Sequence, residues 1–207
     1  MNNRLLFNLL LSLFFSTTLL KAESLKSGDL LFLSEENSAF SNAIVESTAQ
    51  NDSIKLIHVG IIEIVDDEPY LIEASPSNGV REIPIRDFLQ DNKEKIFVRR
   101  IKFEFPVEQA ITRAKSHIGE PYDWWYLPDN NKMYCSELVY ESFLDANGNR
   151  IFNSIPMNFR DSSGNIPDFW IELFNKIGEE IPEGLPGTNP NDMFKSGFLR
   201  AVDYFLQ

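Results

Sequence analysis

The apolar residues of this chain change period several times, and each change marks an element. After a turn at Ser27-Gly28-Asp29, the unbroken apolar run Leu30–Leu33 predicts a short buried strand. Ser38–Thr48 is read as a helix. Lys55–Val65 is β-rich, Asp66-Asp67 interrupts it, and Tyr70–Ala74 resumes an extended pattern, so the two runs predict a β-hairpin. Lys95–Phe105 is a further strand centred on Val98, Arg99, Arg100 and Ile101. Val107–Ile118 has the spacing of an amphipathic helix, with Pro106 before it and Gly119 after it. Cys135–Ala146 is a second helix, with Leu138, Val139, Phe143 and Ala146 in helical spacing and Asn147-Gly148 closing it. The remainder, Ile151–Gln207, is punctuated by Pro and Gly, with a short helix at Pro167–Ile177. The pattern predicts an α+β domain whose helices group against one antiparallel sheet.

The first stretch has a different character. Arg4 is followed by the apolar run Leu5–Leu20 and by Leu20-Lys21-Ala22, the layout of a secretory signal peptide cleaved near Ala22. The run is short for a membrane span, which needs roughly 20 apolar residues. No Cys stands beside the cleavage point, which excludes a lipoprotein anchor there. Residues 23–207 are then expected to form one exported domain, periplasmic or secreted, with no integral span. Losing Arg4 and Lys21 moves the net charge from −12 to −14. Such a surface repels nucleic acid and anionic headgroups.

Charge does not select a chemistry, but the rarest residues do. Cys135 is the only Cys, and an unpaired Cys in an exported protein is either an inert buried thiol or a reactive one. Its place at a helix start favours a thiolate and supplies backbone N–H groups for an oxyanion. Glu137, in the first turn, suits the helix dipole; as a catalytic group it would oppose the thiolate. A thiol nucleophile needs a base, and the chain has two His residues. His117 lies near a helix C-terminus, where the dipole accounts for it. His58 lies in a strand of Ile, Leu and Val, where it is either a core histidine or the base.

Across the hairpin, residues whose numbers sum to 133 or to 131 face each other, according to the turn. Either register puts Glu73 on the same face as His58, where its carboxylate can bind the imidazole N–H. Gly60 is read as leaving room beside His58. The cluster Pro121-Tyr122-Asp123-Trp124-Trp125-Tyr126 either walls a substrate cleft or packs a long loop onto the core. Two His and one Cys far apart in sequence match no common metal-ligand spacing.

Together these segments resemble the circularly permuted papain-like hydrolases, the YiiX-like branch of the NlpC-type cell-wall cysteine amidase superfamily. The motifs that carry the resemblance are SGDLLFL at 27–33, HVGII at 58–62, YLIEASP at 70–76, GEPYDWWY at 119–126 and YCSELVY at 134–140. Their order, base before nucleophile, is that of the permuted branch. The resemblance implies a papain-like fold with a Cys-bearing helix on an antiparallel sheet or half-barrel. It implies Cys135 as nucleophile, His58 as base and Glu73 as the residue orienting it. Tyr122 and Trp124 are candidate substrate contacts, and no cofactor is called for. The expected substrate is a peptidoglycan peptide or a related N-acyl amide, cleaved through an acyl-enzyme. The alternatives are lipid acyl transfer or hydrolysis on the same fold, and a non-catalytic binding module. The segment 151–190 matches no catalytic motif and is a candidate for shaping specificity.

Overall fold

The structure is a computed structural model, and it describes residues 23–34, 36–92 and 95–204. The predicted leader lies outside the described residues. In chain order the elements are β1 (Leu30–Ser34), α1 (Ala39–Thr48), β2 (Leu56–Val65), β3 (Glu68–Ser75), β4 (Gly79–Pro84), α2 (Ile85–Asp91) and β5 (Ile96–Ile101). They continue with α3 (Val107–Ser116), α4 (Cys135–Ser142), β6 (Ile155–Pro156), α5 (Asp168–Ile177), β7 (Pro186–Gly187), α6 (Pro190–Phe194) and β8 (Leu199–Val202).

Six strands form one sheet in the order β4-β3-β2-β1-β5-β8, with every neighbouring pair antiparallel. The predicted hairpin is β2–β3. Asp66 and Asp67 both have positive φ (49° and 65°), as a two-residue type I′ turn requires, and Val65 pairs with Glu68. That turn sets the register: Ile61 faces Ile72, so paired residues sum to 133.

Side-chain alternation gives the sheet two apolar faces. Leu30, Phe32, Val59, Ile61, Ile72 and Ala74 point to the layer that holds α3 and α4, with Leu138, Val139 and Phe143 buried against them. Leu31, Leu33, Ile62 and Leu71 point the other way, under Ile85 and Phe88 of α2. A third cluster joins α1 to α5 through Ala43, Trp170 and Phe174.

Several elements differ from expectation. The Cys-bearing helix stops at Ser142 instead of Ala146, because Phe143 leaves the helical region (φ −93°, ψ 94°) and its carbonyl accepts from Ile151 N at 2.9 Å. Beyond it, Asp145 Oδ1 accepts from the N–H groups of Asn147 and Asn149, a local turn that competes with further helix. The strand after Lys95 ends at Ile101, four residues early. Gly60 has a role different from the one expected: a Cβ there would lie 2.7 Å from Leu71 Cδ1, so the glycine makes room for a core leucine.

Candidate active site

Each site residue is placed by a local device. Asn191, in α6, clamps the start of β2 two residues before His58: its Oδ1 accepts from Leu56 N at 2.9 Å and its Nδ2 donates to Leu56 O at 2.8 Å. His58 then follows as part of the strand, its ring stacked near Phe88 at 6.3 Å between centroids. Glu73 sits in β3, almost fully buried at 1% exposure.

Cys135 is positioned from the other side. Gly79 packs so tightly on the Gly119–Pro121 loop that a Cβ would lie 2.2 Å from Glu120 O. Val80 N donates to that oxygen at 2.9 Å. The chain then makes a closed loop from Pro121 to Met133. Buried Asp123 accepts from Trp125 N and Leu127 N, and Asp123 N donates to Met133 O at 3.0 Å. This brings Tyr122 beside the Met133-Tyr134-Cys135 stretch that opens α4.

The geometry joins three of the expected residues. Glu73 Oε2 lies 2.6 Å from His58 Nε2, and Cys135 is the imidazole's other polar neighbour. With Nε2 committed to Glu73, Nδ1 is the nitrogen left to exchange a proton with the thiol. Burial works against charge on His58, but Cys135 and the Glu73 carboxylate outweigh it and push the imidazole up to about 10. Burial also opposes charge on Glu73, and there His58 and Arg81 prevail, holding the carboxyl below its usual range. The resting His58 is therefore an imidazolium beside an ionised Glu73.

Arg81 is the member that sequence reasoning missed. It stands directly across the β3–β4 ladder from Glu73, with Nε 2.8 Å and Nη2 2.7 Å from Glu73 Oε1. Pro76-Ser77-Asn78-Gly79 is a turn signal that would have placed it there. Glu137 accepts from Tyr134 N at 3.3 Å, capping the helix start. Its burial and the charge of Asp123 push it up to about 8. At neutral pH it is protonated and does not repel a thiolate. His117 has its own partner, Glu120 Oε2 at 2.9 Å from Nδ1.

Two recesses flank the His58–Cys135 contact. Cys135 borders one of them, a recess of about 60 Å³ that is open to solvent. His58, Glu73, Arg81 and Glu36 border the other. Ile57 and Tyr122 border both. Tyr122 thus forms part of the wall. Trp124 lies behind it, 5.0 Å from the Tyr122 ring and 5.3 Å from Phe40, and borders neither recess.

Known proteins share this arrangement of the chain. Residues 24–203 match the family model described as permuted papain-like amidase enzyme, YaeF/YiiX, C92 family. The chain is 30% identical to the uncharacterized protein YiiX of Escherichia coli strain K12, over 86% of this chain and 85% of that protein. It also resembles a crystal structure described as metalloprotein yiiX from Escherichia coli O157:H7, with a TM-score of 0.70 and 26% identity. That match covers 88% of this chain and 98% of the other. The metal belongs to that description. Among the described residues here, no three His, Cys, Asp or Glu side chains form a ligand set, and His58 Nε2 is already bound to Glu73.

Proposed function

We propose that the protein hydrolyses an amide bond through an acyl-enzyme on Cys135, starting from the fact that the chain belongs to the family of permuted papain-like amidases. The observation that carries the reading is the buried relay Cys135–His58–Glu73, with its 2.6 Å imidazole–carboxylate contact. The Cys135 sulfur, its proton already on His58, attacks the carbonyl carbon. Backbone N–H groups at the start of α4 face the developing oxyanion. The C–N bond breaks as His58 returns a proton to the departing amine, leaving a thioester. Water, deprotonated by His58, then releases the acid and restores the thiol. Glu73 holds the ring and stabilises the imidazolium, and Arg81 holds Glu73.

The amino-terminal leader motif supports export, and with it a substrate outside the cytoplasmic membrane: a cell-wall peptide or a related N-acyl amide. Among the described residues no helix is long and apolar enough to cross a membrane. Iodoacetamide tests the nucleophile. Cys135 should alkylate at pH 7 at least tenfold faster than glutathione, because an imidazolium neighbour holds the thiolate. A rate equal to that of glutathione refutes the mechanism. With a reactive thiol established, mass spectrometry of cell-wall fragments and N-acyl amides incubated with the protein and with Cys135→Ala identifies the scissile bond.

A further inference from the structure

A thiol amidase divides its substrate at the nucleophile. The acyl part stays on sulfur, and the amine leaves past the group that returns its proton. Cys135 borders one recess and His58 the other, so the two recesses are not equivalent. We infer that the recess at Cys135 is the acyl pocket and takes an uncharged, apolar acyl group; the inference rests on Cys135 being the nucleophile proposed above.

The lining supports each part. Ile44, Ile57, Ile155, Met157, Phe159 and Trp170 supply apolar surface, and no charged side chain borders the recess. Most of its polar groups are already engaged with one another or with nearby backbone. Thr188 Oγ1 donates to Ser136 Oγ at 3.0 Å, Trp170 Nε1 to Ser47 Oγ at 3.0 Å, and Asn158 Nδ2 to Ser47 O at 2.6 Å. A charged acyl group would give up its hydration and find no counter-ion. The charged residues lie instead on the leaving-group side, where Glu36 and Arg81 border the His58 recess.

The test uses binding, which does not depend on turnover. In Cys135→Ala, three amides of similar size are titrated: pentanamide, 4-oxopentanamide and the succinamate anion. The readout is the NMR signal of the Trp170 indole N–H, which lies on the recess wall. Pentanamide and 4-oxopentanamide should bind at least tenfold more tightly than succinamate. Succinamate binding as tightly as pentanamide, or a Trp170 signal unmoved by all three, overturns the inference. A slow iodoacetamide reaction of the native thiol would count against the hydrolytic mechanism alone.

Discussion

Replacing Glu73 by Gln is the most informative single change at this site, because the carboxylate serves two donors at once. Oε2 faces His58 Nε2 at 2.6 Å, and Oε1 accepts from Arg81 Nε at 2.8 Å and pairs with Arg81 Nη2 at 2.7 Å. An amide has only one acceptor oxygen. Arg81 offers two N–H donors from a cation, so it should capture that oxygen and turn the NH2 toward His58. Nε2 must then accept, so the ring gives up the proton on Nε2 and keeps the one on Nδ1, leaving a neutral imidazole with no nitrogen free to take a proton from Cys135. The lost charge adds to this. Charges about 4 Å apart at an effective dielectric of 20 interact by about 4 kcal/mol, which lowers the imidazole from its present value of about 10. A wrong tautomer in a hydrolytic triad costs on the order of 10⁴ in rate. Glu73→Gln should therefore slow both turnover and iodoacetamide alkylation at pH 7 by about 10³–10⁴. Adding Arg81→Leu frees the amide to rotate its oxygen toward His58, so the double variant should be at least tenfold faster than Glu73→Gln alone. Long-range ¹H–¹⁵N NMR of the His58 ring reads the tautomer directly. A proton still on Nε2 in Glu73→Gln, or a double variant no faster than the single one, refutes the reasoning.

Two further outcomes follow from groups around the relay. Glu137 is raised to about 8 against an ordinary 4.5, so its effect on stability is fully favourable only below 4.5 and is lost as pH rises through 8. Glu137→Gln keeps an acceptor for Tyr134 N but cannot ionise; its Tm relative to the native protein should climb by several degrees between pH 4.5 and 8, and a difference that stays flat across that window contradicts the assignment. Gly60→Ala drives a methyl to 2.7 Å from Leu71 Cδ1 and should cost about 1–3 kcal/mol in urea unfolding; Leu71→Ala added to it should cost less than Leu71→Ala costs the native protein, and simple additivity would show that the two do not touch.

The parts of this fold that could be read in the sequence are those in which a short stretch carries its own instruction. Asp66-Asp67 between two β-rich runs set a hairpin, and period-two alternation then put His58 and Glu73 on one face whichever register applied. Pro106 and Gly119 bracketed α3 in the same local way. What escaped depends on distant partners. The strand β8 is defined by pairing with β5 about a hundred residues earlier. Arg81 lies in a strand that runs into α2 with no linker between Pro84 and Ile85. Asn191 fixes the His58 strand from the far end of the sequence, and no local pattern announces that. The end of α4 was misread because Leu138, Val139, Phe143 and Ala146 keep helical spacing past the point where Phe143 turns away to meet Ile151.

The two ends of the described chain lie side by side. Glu23 N donates to Asp203 O at 2.9 Å, and the Glu23 carboxylate is gripped by Arg200 at 2.8 Å through both its oxygens. Topologically the domain is close to a ring with a nick in it. That makes the numerical order of His58 and Cys135 a property of the nick, not of the catalytic geometry. Joining the ends through a short bridge and reopening the ring at the exposed Pro128-Asp129 turn gives a polypeptide in which the nucleophile comes first and the base second. The sheet, the helix start and the relay between them would be untouched.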